Sequence, residues 1–183
     1  MKTINYLLPI ITCIFLFFNT QAQTNISGII NSYIDVTHVD SANNYVTVSS
    51  ASGFSVGEKI LLIQMQGASI DKSQSVDYGT ILNYNNSGNY EFQTICNIQG
   101  NNIYFIHNML HDYDAADAVQ LITVPVYNNV LINNGDLTSS PWNGTTGGVL
   151  VLEVTGTLDF GVQNIDVTGK GFRGGAVIQL VLM

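Results

Sequence analysis

Positive charge is scarce in this chain of 183 residues: five lysines and arginines face thirteen aspartates and glutamates, for a formal net charge of −8. A surface so poor in cations does not neutralise a run of phosphates, which excludes nucleic acid as a partner. Cysteine is also scarce, with two residues, so the chain is not a disulfide-stapled mini-protein. Charged residues make up only 10 %, yet 46 % of the chain is apolar, which rules out a disordered tail. No sustained 3.6-residue apolar period occurs, which argues against a helical bundle. Beyond the first residues no stretch approaches 18 consecutive apolar positions, so no later segment reads as a membrane span.

What is present begins with an address. Lys2 precedes the 12-residue run LLPIITCIFLFF at 7–18, broken by Thr12, and Thr20-Gln21-Ala22 places small residues at a cleavage site. This is the layout of a secretory signal peptide over 1–22. A membrane span needs about 20 apolar residues, and Pro9 interrupts this run, so a retained anchor fits less well. Cleavage of 22 residues from 183 leaves 161, and loss of Lys2 takes the charge from −8 to −9. Cys13 leaves with the signal, so Cys96 remains alone and cannot close an internal disulfide; within the strand-like run YEFQTICNI it reads as a small buried hydrophobe.

The remainder reads as all-β, a short-strand sandwich or barrel-like hairpin region leading into the first rungs of a β-solenoid. Strands are expected over 30–36, 45–49, 59–66, 78–84, 90–98, 103–107, 118–126, 129–133, 148–154 and 164–167, separated by Asn/Gly clusters. Asn and Gly accept the positive φ of tight turns, and 90–98 with 103–107 form the clearest hairpin. Short helical turns are expected over 69–77 and 108–118. Two zones follow: a hairpin-rich domain over 23–140 and a glycine-divided stretch over 141–183. The second contains GGVLVLEVTGTLDFGVQNIDVTGKGFRGG, whose brief β runs suit solenoid corners. The end, AVIQLVLM at 176–183, is nearly all apolar. It is either a buried closing strand or the end of a truncated or frameshifted product, and the aggregation hazard of such an exposed run favours the second.

The motifs that bear on chemistry are few. Gly169-Lys170-Gly171-Phe172-Arg173-Gly174 spells G-x-G-x-x-G, but the helix and distant acid of a dinucleotide site do not follow it, so a solenoid corner is expected. His107 and His111 stand four apart, without the glutamate of a zincin helix. Asp112, Asp114 and Asp117 gather carboxylates in one loop and could hold calcium, although the glycine and distant glutamate of an EF-hand are missing. No spacing singles out a carboxylate pair for glycoside cleavage, and no G-x-S-x-G elbow is present, so no catalytic residues and no cofactor beyond calcium are assigned. Trp142 is the candidate for stacking on a glycan, with Tyr78, Tyr84 and Tyr127 as further aromatic surfaces. Asn25, Asn85 and Asn143 begin N-x-[ST] triplets, which an Asn-rich chain produces by chance.

Several runs carry a resemblance. They are FSVGEKILLIQMQGA at 54–68, YGTI at 78–81, YNNSGNYEF at 84–92, VQLITVP at 119–125, PWNG at 141–144 and IDVTGKGFRGG at 165–175. Together they resemble the N-terminal region of large secreted, adhesin-like surface proteins of Bacteroidetes-type bacteria, associated with gliding motility and exported by type IX secretion. The resemblance spans about 30–175. It implies a cell-surface or secreted protein whose partners are downstream modules of a longer parent and surface glycans. It also implies a possible O-glycosylation acceptor in Asp40-Ser41-Ala42. The sorting domain that usually ends such proteins is not seen here; without one, a periplasmic location is implied. The expected function is a non-enzymatic structural or adhesion module. Two alternatives stay open: the leading part of a β-helical polysaccharide-acting enzyme, and a carbohydrate-binding module.

Overall fold

The computed structural model describes residues 23–172. The segment 1–22 expected to be a signal peptide and the apolar run 176–183 lie outside the described residues. Among the described residues thirteen strands follow one another: β1 (Thr24–Ile29), β2 (Tyr33–Asp40), β3 (Tyr45–Val48), β4 (Lys59–Gln64), β5 (Ser69–Ile70), β6 (Ile81–Asn83), β7 (Tyr90–Gln99), β8 (Asn102–Phe105), β9 (Val119–Thr123), β10 (Val126–Tyr127), β11 (Val130–Thr138), β12 (Glu153–Val154) and β13 (Leu158–Asp159). A single 3-10 turn, Ala115–Asp117, is the only helical element among the described residues. The protein is all-β.

Six strands close an antiparallel barrel in the order β2-β3-β8-β7-β4-β9. The reason lies in alternation: Val46, Val48, Ile60, Leu62, Ile95, Ile103 and Leu121 point inward and are buried together. The hairpin of β7 and β8 forms through Gln99–Asn102, with Gly100 at φ 59°, a conformation glycine adopts without strain.

The other strands pair in parallel. β1 lies beside β11, and β11 beside β13. β10 pairs with β12. Partners on successive turns stand 27 or 28 residues apart: Val126 beside Glu153, Val130 beside Leu158, Leu137 beside Ile165. Such a fixed parallel offset is the geometry of a β-solenoid coil. Ile26, Val130, Ile132 and Leu137 fill its interior, with Leu150, Leu152 and Leu158 packed against them.

The barrel is an insertion in this stack. Strand β1 belongs to the first coil, the chain then builds the barrel from β2 to β9, and β11 returns beside β1. Coil residues therefore lie on both sides of the 140/141 position drawn from the sequence. β1 itself was not expected, because Asn25, Ser27 and Gly28 hide its alternation.

Three expectations need correction. The helical turn over 69–77 is absent; β5 occupies its start and turns follow. The run 148–154 enters the ladder only at β12. Before it, the Asn31 side chain bonds Val151 N and O at 3.3 and 2.6 Å, and the Tyr33 hydroxyl donates to Val149 O at 2.6 Å. Side chains thus replace a neighbouring strand. Cys96 is exposed. Ile95 takes the inward position, and a bulge between Ile95 and Asn97 leaves Cys96 as the extra residue, outside the ladder.

Candidate functional site

The barrel end farthest from the entry and exit of the chain is polar. β4 finishes there at Gln64, opposite Val119 of β9, while the chain enters and leaves beside the Tyr33–Ile122 pair. Gln64 is fully buried and organises this end. Its amide nitrogen donates to Gln66 O at 2.8 Å and Asn85 O at 2.9 Å, and its amide oxygen accepts from Asp114 N at 2.9 Å. One side chain thereby ties the strand to two loops.

The first loop is the asparagine-rich turn after β6. Asn85 and Asn86 both have positive φ, 45° and 66°, and Ser87 N closes the turn on Tyr84 O at 2.9 Å. Two successive positive φ values define a type I′ turn, which asparagine tolerates. Asn85 donates its amide to Gly67 O at 3.0 Å, and Asn83 accepts from Asn85 N at 2.9 Å. The second loop runs over 106–118. Asn89 donates to Asp112 O at 3.2 Å, and the Asp114 carboxylate accepts from Ala116 N at 3.0 Å, capping the 3-10 turn.

Between these loops lies a cleft of about 640 Å³, lined by the turn 83–87 and Asn89 on one side and by Asp114 and Asp117 on the other. The Tyr84 ring is 64 % exposed at its rim. Among the described residues no lysine or arginine lines it.

Beneath the second loop, β7 turns two polar side chains into the barrel. Glu91 and Gln93 are buried, while Tyr90 and Phe92 of the same strand face outward. One Glu91 oxygen accepts from Leu110 N and from the Gln93 amide, each at 3.0 Å. The other Glu91 oxygen, the Gln93 oxygen and the Tyr113 hydroxyl have no hydrogen-bond partner. Burial pushes the Tyr113 pKa far above its ordinary value, and the neighbouring Glu91 charge adds to the rise.

The residues singled out from the sequence fare differently. Asp114 and Asp117 share the cleft, but Asp112 does not line it. Among the described residues no three His, Cys, Asp or Glu side chains are grouped to hold a metal ion. The expected calcium triad is thus not assembled. His107 and His111 are exposed on a non-helical segment and share no helix face. Trp142 is only 7 % exposed, its ring centroid 5.6 Å from that of Phe172, and its backbone N–H donates to Lys170 O at 2.8 Å. The largest apolar side chain of that stretch buries itself in the coil and offers no open face to a sugar. Tyr78 is exposed away from the cleft, and Tyr127 packs against the coil interior. Residues 168–170 form a turn, closed by Lys170 N on Val167 O at 3.1 Å, and the Lys170 side chain reaches back to the Thr138 hydroxyl at 2.7 Å. Sequence reasoning read 85–89 only as a turn, and nothing in the spacing linked it to Asp114 and Asp117.

No family model matches this chain, and no curated protein matches it. Two solved structures do. One is the Gp54 tailspike of Acinetobacter baumannii bacteriophage AP22, in complex with A. baumannii capsular saccharide: 16 % identity, 69 % of this chain and 19 % of that chain, TM-score 0.39. The other is the tailspike protein gp49 from Pseudomonas phage LKA1: 16 % identity, 62 % of this chain and 19 % of that chain, TM-score 0.34. This chain therefore spans about a fifth of the length of each. The all-β architecture stands on the strand pairing itself.

Proposed function

We propose that this chain is a non-enzymatic display module of an exported, adhesin-like bacterial surface protein. The parallel coils act as scaffold, and the inserted barrel is the part that meets a partner. The observation that carries this reading is the insertion: a closed barrel grows out between two coils and holds its polar cleft at the end remote from the junction. The coil that carries β13 supports the scaffold role. Among the described residues β13 pairs on one side only, and Phe160, Val162, Ile165 and Val167 stand exposed around it, an apolar surface suited to further coils. The N-terminal signal layout supports export.

The test has two arms. Full-length chain expressed with its signal segment is expected in the exported fraction and accessible to protease on intact cells; retention in the cytoplasm would overturn the reading. The purified protein, incubated with a panel of polysaccharides, is expected to release no reducing ends. Sustained release would favour a polysaccharide-acting enzyme instead.

A further inference from the structure

We infer that the cleft between the turn 83–87 and the 3-10 turn is a binding site for an uncharged saccharide, and that it rejects anionic ones. This deepens the display reading by giving the barrel a ligand class, and it rests on that reading only for biological context. The argument is one of atoms left over. The frame of the site is fixed: the amides of Gln64 and Asn85 and one side of Asn89 are all bonded within the protein. The groups facing the cleft are not. Among the described residues, the Asn86 amide, the Ser87 hydroxyl, the Asp117 carboxylate and the Tyr84 hydroxyl make no hydrogen bond to the chain. A rigid frame presenting unengaged donors and acceptors is preorganised for a ligand.

The chemistry of those groups selects the ligand. Amides and a hydroxyl both donate and accept, and a carboxylate accepts strongly from hydroxyls. The exposed Tyr84 ring beside them offers an apolar face to C–H groups. Saccharides present hydroxyls along one rim and C–H groups on one face, so both surfaces are matched. A volume of about 640 Å³ suits a small ligand. The polar lining disfavours an apolar molecule. Two carboxylates with no cation among the lining residues, in a chain of net charge −8, repel uronates, sialates and phosphates.

Affinity electrophoresis in gels containing dextran, mannan, galactan or polygalacturonate tests this with the full chain. Retardation is expected in at least one neutral gel and none in polygalacturonate, unaffected by a chelator. Tyr84→Ala and Asp117→Ala are each expected to weaken binding about tenfold or more, whereas Tyr78→Ala, exposed but outside the cleft, should bind as the parent does. Should Asp117→Ala misfold, Asn86→Ala on the exposed turn takes its place. Retardation by polygalacturonate equal to that by neutral glycans, or neutral binding that survives both cleft substitutions, would overturn the inference. So would absence of binding in every neutral gel; export and surface exposure would then still stand or fall separately.

Discussion

Gly67 shows how closely the cleft is built from its floor. Its φ of 124° lies where side chains rarely go, and an added Cβ would come within 2.7 Å of the Asp117 carboxylate and 2.9 Å of both Asn85 O and the Gln64 amide nitrogen. The first two of those contacts belong to the two loops that face each other across the cleft. Gly67→Ala is therefore expected to lower stability by about 1–3 kcal/mol and to abolish any cleft binding. Gly53→Ala, at φ 89° with open space around it, should cost only the backbone strain. Thermal unfolding followed by circular dichroism compares the two, and equal losses would show that the crowding at Gly67 is relieved elsewhere. Glu91 makes a second residue-scale point. Strand β7 turns Glu91 and Gln93 inward and leaves Tyr90 and Phe92 outward. The hydrogen bonds from Leu110 N and Gln93 to the Glu91 carboxylate that accompany this facing are tertiary and leave no local mark in the sequence.

At the scale of elements, the coils turn on aspartates. The Asp159 carboxylate accepts from Gly161 N at 2.9 Å and that of Asp136 from Asn164 N at 2.8 Å. The Asp166 carboxylate accepts from Thr168 N at 2.8 Å and lies beside the Thr168 hydroxyl; these bonds, with a smaller contribution from Lys170, hold its pKa below the ordinary 3.8. A carboxylate with a depressed folded pKa stabilises the native state fully above its unfolded value and loses that effect as pH falls through the folded one. The urea midpoint of Asp166→Ala should accordingly lie below the parent's at pH 7, and the gap should close only as pH drops below about 3.8. A gap that persists unchanged in acid would mean the side chain acts through shape alone. Elements were the most legible part of the sequence. Runs rich in Ile, Val and Tyr between Asn/Gly turns marked β3, β4, β7, β8 and β9 nearly where they form. What stayed hidden were β1, whose partners lie more than 100 residues away, and the cleft, whose two walls come from segments with no shared spacing.

For the whole molecule, the decisive contact is the weld between barrel and coil. Gln120, fully buried on β9, donates to Gly147 O at 3.1 Å and accepts from Gly147 N at 2.9 Å. Asn31 clasps Thr123 O and both polar atoms of Val151. Leu61, Ile122 and Val124 pack with Val149 and Val151 across the same seam, and Lys59 pairs with Glu153 at its half-exposed margin. Removing either amide strands buried backbone groups, at about 1–3 kcal/mol each. In the double variant Asn31→Ala with Gln120→Ala, the buried Trp142 reports on the coil, while far-ultraviolet circular dichroism is dominated by the barrel. The two signals are expected to unfold together in the parent and separately in the variant; coincident transitions in both would place the weld in the apolar seam alone.

The insertion of the barrel also dictates an order of assembly. Thr24 must find Val130 across a separation of 106 positions in sequence, a closure that an unfolded chain makes at a high entropic cost. Once the barrel exists, Tyr33 and Ile122 are paired neighbours, and that long excursion shrinks to a short gap. The first coil therefore closes late, after the barrel has drawn its own ends together, and the growth of the stack waits on a fold that lies outside it.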